Sequence, residues 1–320
     1  MARADLLIHL VRAARERDEG ELRRTVESMV AEERDKHHHV LAERLEDALR
    51  AAAPVENSGQ HVDAAAGFGV LTPRRRLDEL VLPDSSRAAV EELIEEQQRT
   101  EVLRVHGLEP RHRVLLTGPP GNGKTSLAEA IAEALLLPLI IVRYEEVVGS
   151  YLGETASRLA AVFAFVRTRR CVLFFDEFDA VAKERGDEHE TGEIKRVVSS
   201  LLMQVDALPS HAIVVAASNH PELLDRAAHR RFELRLELPV PGRVARVAWF
   251  ERLLSELAEP VGLNADTLAR RTTGASFSQL QDLADDIKRR RALEPGTSLQ
   301  RLVPERIRRW REVSALEAHA

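Results

Sequence analysis

Residues Gly118-Pro119-Pro120-Gly121-Asn122-Gly123-Lys124-Thr125 read GxxxxGK[ST] in full, and a second apolar run, Val172-Leu173-Phe174-Phe175, ends on Asp176-Glu177. The glycines leave backbone N–H groups free to face an anion, and a helix opening near Lys124 adds its positive end. Such a loop needs a strand before it and a helix after it. Arg113-Val114-Leu115-Leu116-Thr117 is short and rich in β-branched residues and leucine, and from Ser126 to Leu136 the chain places Leu127, Ala130, Ile131 and Ala134 at helical spacing. An ordinary glycine turn in a strand–helix connection would not require this whole context.

The ligand that fits the pattern is a nucleoside triphosphate with magnesium (Mg2+). Residues 118–126 cradle the phosphates, Lys124 reaches the β- and γ-phosphates, and the Thr125 hydroxyl ligates the metal. Cys171 to Phe175 is continuously apolar, as expected of a parallel strand buried on both faces. At its end Asp176 is expected to hold magnesium, directly or through water, and Glu177 to orient and activate the attacking water. A strand-end acidic pair can also be a solvated helix cap. Beside the phosphate loop, the catalytic reading is the stronger one.

The 320 residues leave room for one sizeable domain and one or two small ones. A net charge of −6 argues against a nucleic-acid partner held by phosphate neutralisation. The single cysteine, Cys171, lies in an apolar strand, so a reducing, cytoplasmic setting is expected. The start of the chain has no signal-peptide pattern, and no apolar run approaches the roughly 18–20 residues of a membrane span.

Residues 1–52 carry three amphipathic stripes, centred on Leu6–Val11, Leu22–Val30 and Val40–Leu49, and are expected to form a small helical bundle. That bundle is either an adaptor- or client-binding module or a packing cap. His37-His38-His39 point in different directions around a helix and cannot converge on one metal. Residues 53–75 are small, polar and glycine-rich without periodicity, which reads as a linker. From 76 to 240 strands (113–117, 139–143, 171–175, 212–217, 233–238) alternate with helices (124–136, 154–166, about 193–206, 221–228). The fold class is α/β, a parallel sheet with helices on both faces as in P-loop NTPases. Residues 241–320 are helical again and are expected to form a lid.

Taken together, these motifs resemble the AAA+ ATPases, in particular AAA proteins in the narrow sense, the group of katanin, spastin and the FtsH-type proteases. The resemblance covers roughly residues 76–292 and implies a fuller site. Asn219, after the strand Val214 to Ser218 and before Pro221, would be sensor 1, contacting the attacking water or γ-phosphate. Arg230 and Arg231, just before Phe232, would be arginine fingers for a neighbouring subunit, implying a homo-oligomeric ring, six-membered by family habit. Tyr151 and Leu152, in Ser150-Tyr151-Leu152-Gly153, would line a central pore and grip a protein client. A second pore loop would lie in 184–191, and Leu201 to Asp206 resembles the inter-subunit signalling segment. Adenine would be approached by the backbone at His106-Gly107 and by the lid turn Gly274-Ala275. Phe277 stands where that turn usually has glycine, and no arginine occupies a sensor 2 position. No HExxH zinc signature occurs.

Three functions fit these residues. The first is a ring ATPase that threads or remodels a protein; the second is a slow nucleotide-dependent assembly switch. A DNA-directed AAA+ protein is the third, disfavoured by the acidic charge.

Overall fold

In the computed structural model, the described residues are 60–63, 68–143, 152–179, 200–224, 226–257, 259–294 and 296–317. The expected 1–52 bundle, Tyr151, the 184–191 loop and the first part of the 193–206 helix lie outside them.

A seven-stranded sheet runs in the order β1-β2-β4-β5-β6-β3-β7. Its parallel part comprises β3 (Arg113–Thr117), β4 (Leu139–Arg143), β5 (Cys171–Asp176), β6 (Ala212–Ser218) and β7 (Leu234–Glu237). Side chains alternate between two cores, one per face. Cys171, Leu173 and Phe175 enter one with Leu115, Val214 and Ala216; Val172 and Phe174 enter the other with Val114, Leu116, Ile213 and Val215. Burial on both faces explains why these strands read as unbroken apolar runs. The covering helices are α1 (Asp84–Gln98), α2 (Thr100–Val105), α3 (Lys124–Ala134) and α4 (Leu152–Arg167), with residues 200–206 also helical.

Two expectations need correction. β1 (Gln60–Asp63) and β2 (Phe68–Leu71) lie inside the stretch read as linker; they form an antiparallel hairpin whose second strand adds, also antiparallel, to β4. Phe68 is buried, its ring 5.0 Å from that of Phe165. Four-residue strands with a glycine at position 69 are too short to show a period, and their partner lies some seventy positions on. The sheet is therefore parallel with one antiparallel edge. Residues 221–228 are not one helix: Pro221–Leu223 form a 3-10 turn and α5 spans Arg226–Arg231.

After Pro241-Gly242, four helices form the lid: α6 (Arg243–Glu256), α7 (Ala265–Arg271), α8 (Phe277–Leu293) and α9 (Leu299–Glu317). They enclose their own core, which includes Phe250, Leu268, Leu280, Ile287, Leu302 and Ile307. The Asn264 side chain accepts from Thr267 N at the start of α7, and Ser276 with Gln279 makes a reciprocal capping box at the start of α8. Buried Arg246 donates to Ala269 O at 3.0 Å and to Pro241 O at 2.6 Å, tying α6 to α7 and to the interdomain turn.

Candidate nucleotide site

The phosphate loop leaves β3 and enters α3 through backbone conformations that favour glycine. Gly118 has φ 137°, and a Cβ there would sit 2.2 Å from Leu238 O on the neighbouring chain segment. Gly121 has φ 75°, and a Cβ there would meet Ser278 Oγ of the lid at 2.4 Å. The loop is thus packed between sheet and lid as well as wound tightly. Ser278 N donates to Gly121 O at 2.9 Å, which seats the first turn of α8 on the loop.

Lys124 is buried and its Nζ donates to the carbonyls of Gly118 at 2.6 Å and Pro119 at 3.0 Å. Burial pushes its pKa below the ordinary lysine value, and the Asp176 and Asp179 charges oppose that shift. Asn122 is also buried; its Nδ2 donates to Pro119 O at 3.4 Å, while its Oδ1 has no hydrogen-bond partner among the described residues.

β5 delivers Asp176 and Glu177 to the same edge. Glu177 has φ 53°, unusual for a residue with a side chain, and its N–H donates to Asp176 Oδ1 at 3.1 Å. Strained backbone of this kind concentrates where a side chain must be aimed. β6 ends beside it, and Asn219 N donates to Asp179 Oδ1 at 3.1 Å. Asp179 is buried and ties the end of β6 to the turn after β5. Reading the sequence missed this residue, although a third carboxylate two positions beyond Glu177 was a visible signal.

These groups meet at a cavity of about 490 Å³. Its lining includes Pro120 to Ser126, Asp176, Glu177 and Asn219 from the core, the apolar side chains of Leu80 to Leu82, and Trp249, Phe277, Ser278 and Gln281 from the lid. Arg252 of α6 donates to the Glu79 carbonyl, joining lid and core on that side. The phosphate-loop residues suit a triphosphate, and the apolar and aromatic liners suit a flat base. Thr125 and Asp176 offer hard oxygen donors in one cavity. Two such oxygens are a donor set that suits magnesium, which is usually held by one or two protein oxygens together with water and substrate phosphate.

Some expected residues are placed elsewhere. His106 and Gly107 follow α2, are exposed and do not line the cavity; Glu79 to Leu82, ahead of α1, stand there instead. Neither Gly274 nor Ala275 lines it: Ala275 is buried in the lid core, and Phe277 and Ser278 face the cavity. Gly118 and Pro119 serve it through the carbonyls that hold Lys124. Arg230 and Arg231 lie toward the other end of the sheet, since α5 leads into β7 where Leu234 pairs with Val114, three residues before the phosphate-loop end of β3. Leu152 opens α4, with its side chain outside the described residues. The Cys171 thiol is buried and pushed up to about 11, so it is inert. No helix among the described residues is long and apolar enough to cross a membrane.

A mostly parallel α/β core, a phosphate loop facing two acidic strand ends and a helical lid define a P-loop ATPase. Residues 114–240 match the family described as "ATPase family associated with various cellular activities (AAA)". The chain is 37% identical over 261 residues to an uncharacterized AAA family ATPase, y4kL, of Sinorhizobium fredii, covering 79% of this chain and 75% of that protein. It is 37% identical over 195 residues to spastin of Anopheles gambiae, covering 58% of this chain and 23% of spastin. It is 35% identical over 196 residues to the proteasome-activating nucleotidase of Methanothermobacter thermautotrophicus, covering 59% and 48%. This chain belongs to the AAA family of ATPases. It spans three quarters of y4kL but less than half of the other two proteins.

Proposed function

We propose that this ATPase hydrolyses MgATP in a homo-oligomeric ring of six and uses the cycle to remodel a protein client in the cytoplasm. The convergence of phosphate loop, strand-end carboxylates and Asn219 on one lid-covered cavity carries this reading. Backbone N–H groups and Lys124 bind the phosphates, Lys124 leaving the Gly118 and Pro119 carbonyls to do so. Thr125 and Asp176 hold magnesium, which when bound neutralises charge on the phosphate oxygens. Glu177 accepts a hydrogen bond from the attacking water and aims it, and Asn219 holds the same water or the γ-phosphate. The loop, lid and Glu79 to Leu82 wall the cavity in which this happens.

The ring part rests on the family and on the distance of Arg230 and Arg231 from their own chain's cavity. A cation supplied there by a neighbour is worth ~10³–10⁵ in rate. Remodelling rests on relatives such as spastin and the proteasome-activating nucleotidase. In this reading Tyr151 and Leu152 grip the client and residues 1–52 select it. The nucleotide-binding domain begins with the hairpin at residue 60 and the lid at 241.

The test is steady-state MgATP hydrolysis against protein concentration, with Glu177→Gln as the blank and an unfolded fluorescent protein as client probe. Specific activity should rise cooperatively and vanish in the blank. Tyr151→Ala should spare hydrolysis and abolish unfolding or transport of the probe. Activity that is flat with concentration would sink the ring, and client processing unaffected by Tyr151→Ala would sink the pore.

A further inference from the structure

Arg230 and Arg231 are adjacent on the last turn of the six-residue helix α5, yet their surroundings differ. Arg231 Nε donates to Asp206 Oδ2 at 2.8 Å. The other oxygen of that carboxylate accepts from Arg113 at 3.2 Å, and Arg113 in turn donates to Glu233 Oε1 at 2.7 Å. Glu233 Oε2 accepts from the backbone N–H of His112 at 2.8 Å and of Arg113 at 3.1 Å. Four alternating charges thus link the end of the 200–206 helix, the start of β3 and the connection between α5 and β7. Arg230 is exposed, and its side chain makes no hydrogen bond or ion pair among the described residues.

Successive helical residues diverge by about 100°, so two neighbouring arginines cannot present the same face. A helix of fewer than two turns is also too short to hold its own end in place. We infer that the two arginines divide the work: Arg230 is the side chain presented to a neighbouring subunit's triphosphate, and Arg231 is a positioning residue that anchors α5 to the base of β3 through Asp206. The inference rests on the ring proposed above. It departs from the expectation of two equivalent fingers. An arginine already bonded to a carboxylate must give up that partner to reach a phosphate; Arg230 has no such partner among the described residues.

A double-mutant cycle decides it. ATP affinity and kcat are measured, at a protein concentration where wild-type activity has saturated, for Arg230→Ala, Arg231→Gln, Asp206→Asn and the Asp206→Asn/Arg231→Gln double variant. Arg230→Ala should lose ~10³-fold or more in kcat with ATP affinity unchanged. Arg231→Gln and Asp206→Asn should each lose ~10–100-fold, the scale of a misplaced group, and the double variant no more than either single. Arg231→Lys, which keeps a cation for Asp206, should stay within about tenfold of wild type; it decides the matter if the glutamine variant loses ATP affinity through misfolding. Losses that multiply in the double variant, or an Arg231→Lys loss as deep as that of Arg230→Ala, would overturn the division. Arg230→Ala without effect would overturn it too. A wild-type activity independent of protein concentration would instead be a failure of the ring.

Discussion

The two ends of the parallel strands are built on different principles. At the phosphate-loop end, Lys124 bonds to backbone carbonyls, Asn122 Oδ1 lacks a partner among the described residues, and Glu177 holds a positive φ. At the opposite end most polar groups pair with one another, although His112 Nε2 and Arg113 Nε have no partner among the described residues. Glu96 accepts from Arg111 at 2.8 Å, Gln97 donates to Arg111 O at 2.7 Å and Ser210 O at 3.2 Å, and Glu233, Arg113, Asp206 and Arg231 form one chain of pairs. One end keeps a cation and an acidic pair facing a cavity, and the other spends most of its hydrogen-bonding capacity on holding strands and helices in register. Substitutions at the first should therefore alter chemistry, and substitutions at the second should alter stability or geometry.

The sharpest way to break that contrast is Lys124→Ala. It removes the buried cation of the open end and should cost on the order of 10²–10³ in kcat/KM, with ATP affinity falling in parallel, read by a nucleotide titration. The melting temperature should change little, because that ammonium ties together no distant elements. Gly118→Ala tests the same end from the packing side. Its Cβ would lie 2.2 Å from Leu238 O at a φ that disfavours side chains, so a loss of ~1–3 kcal/mol in urea unfolding should accompany the lost hydrolysis.

Glu233→Gln probes the other end. Burial alone would raise this carboxyl's pKa, but hydrogen bonds from His112 N and Arg113 hold it below the usual carboxylate range. Half of its partners lie in backbone, so the neutral isostere should cost ~1 kcal/mol of stability while leaving ATP affinity unchanged. Equal damage to ATP affinity would erase the contrast. The smallest effect should come from pH. Burial, with Arg113 adding to it and Glu233 opposing, keeps the His112 pKa below its ordinary value near 6.5. The unfolded chain then binds a proton that the folded one resists, so this group's contribution falls as pH drops below about 6.5. Glu233, with its lowered pKa, contributes above the ordinary carboxylate range and loses that contribution only as pH falls through its own folded value. Urea midpoints at pH 7.5 and 5.5 should differ more for wild type than for His112→Gln.

Much of the phosphate-loop end was legible because its information is local. Gly118 to Thr125, the strand before it and the acidic end of β5 each occupy fewer than ten consecutive residues. What escaped depends on distant partners. Asp179 matters through Asn219, 40 positions on; Glu79 to Leu82 matter because Trp249 and Phe277 of the lid stand opposite them. The resemblance puts His106 and Gly107 beside the adenine, but they follow α2 and do not line the cavity. The hairpin at 60–71 was hidden because its strands gain their partners only in the sheet. Likewise, no pattern in Arg230-Arg231 distinguishes the exposed side chain from the tethered one.

The most direct measurement is the emission of Trp249, made the sole tryptophan by Trp310→Phe, during titration with MgATP. Because Trp249 lines the cavity between lid and core, a saturable change should appear and should be lost in Lys124→Ala. Emission that stays flat while MgATP is being hydrolysed, or the same change in the alanine variant, would place the nucleotide elsewhere and contradict the account.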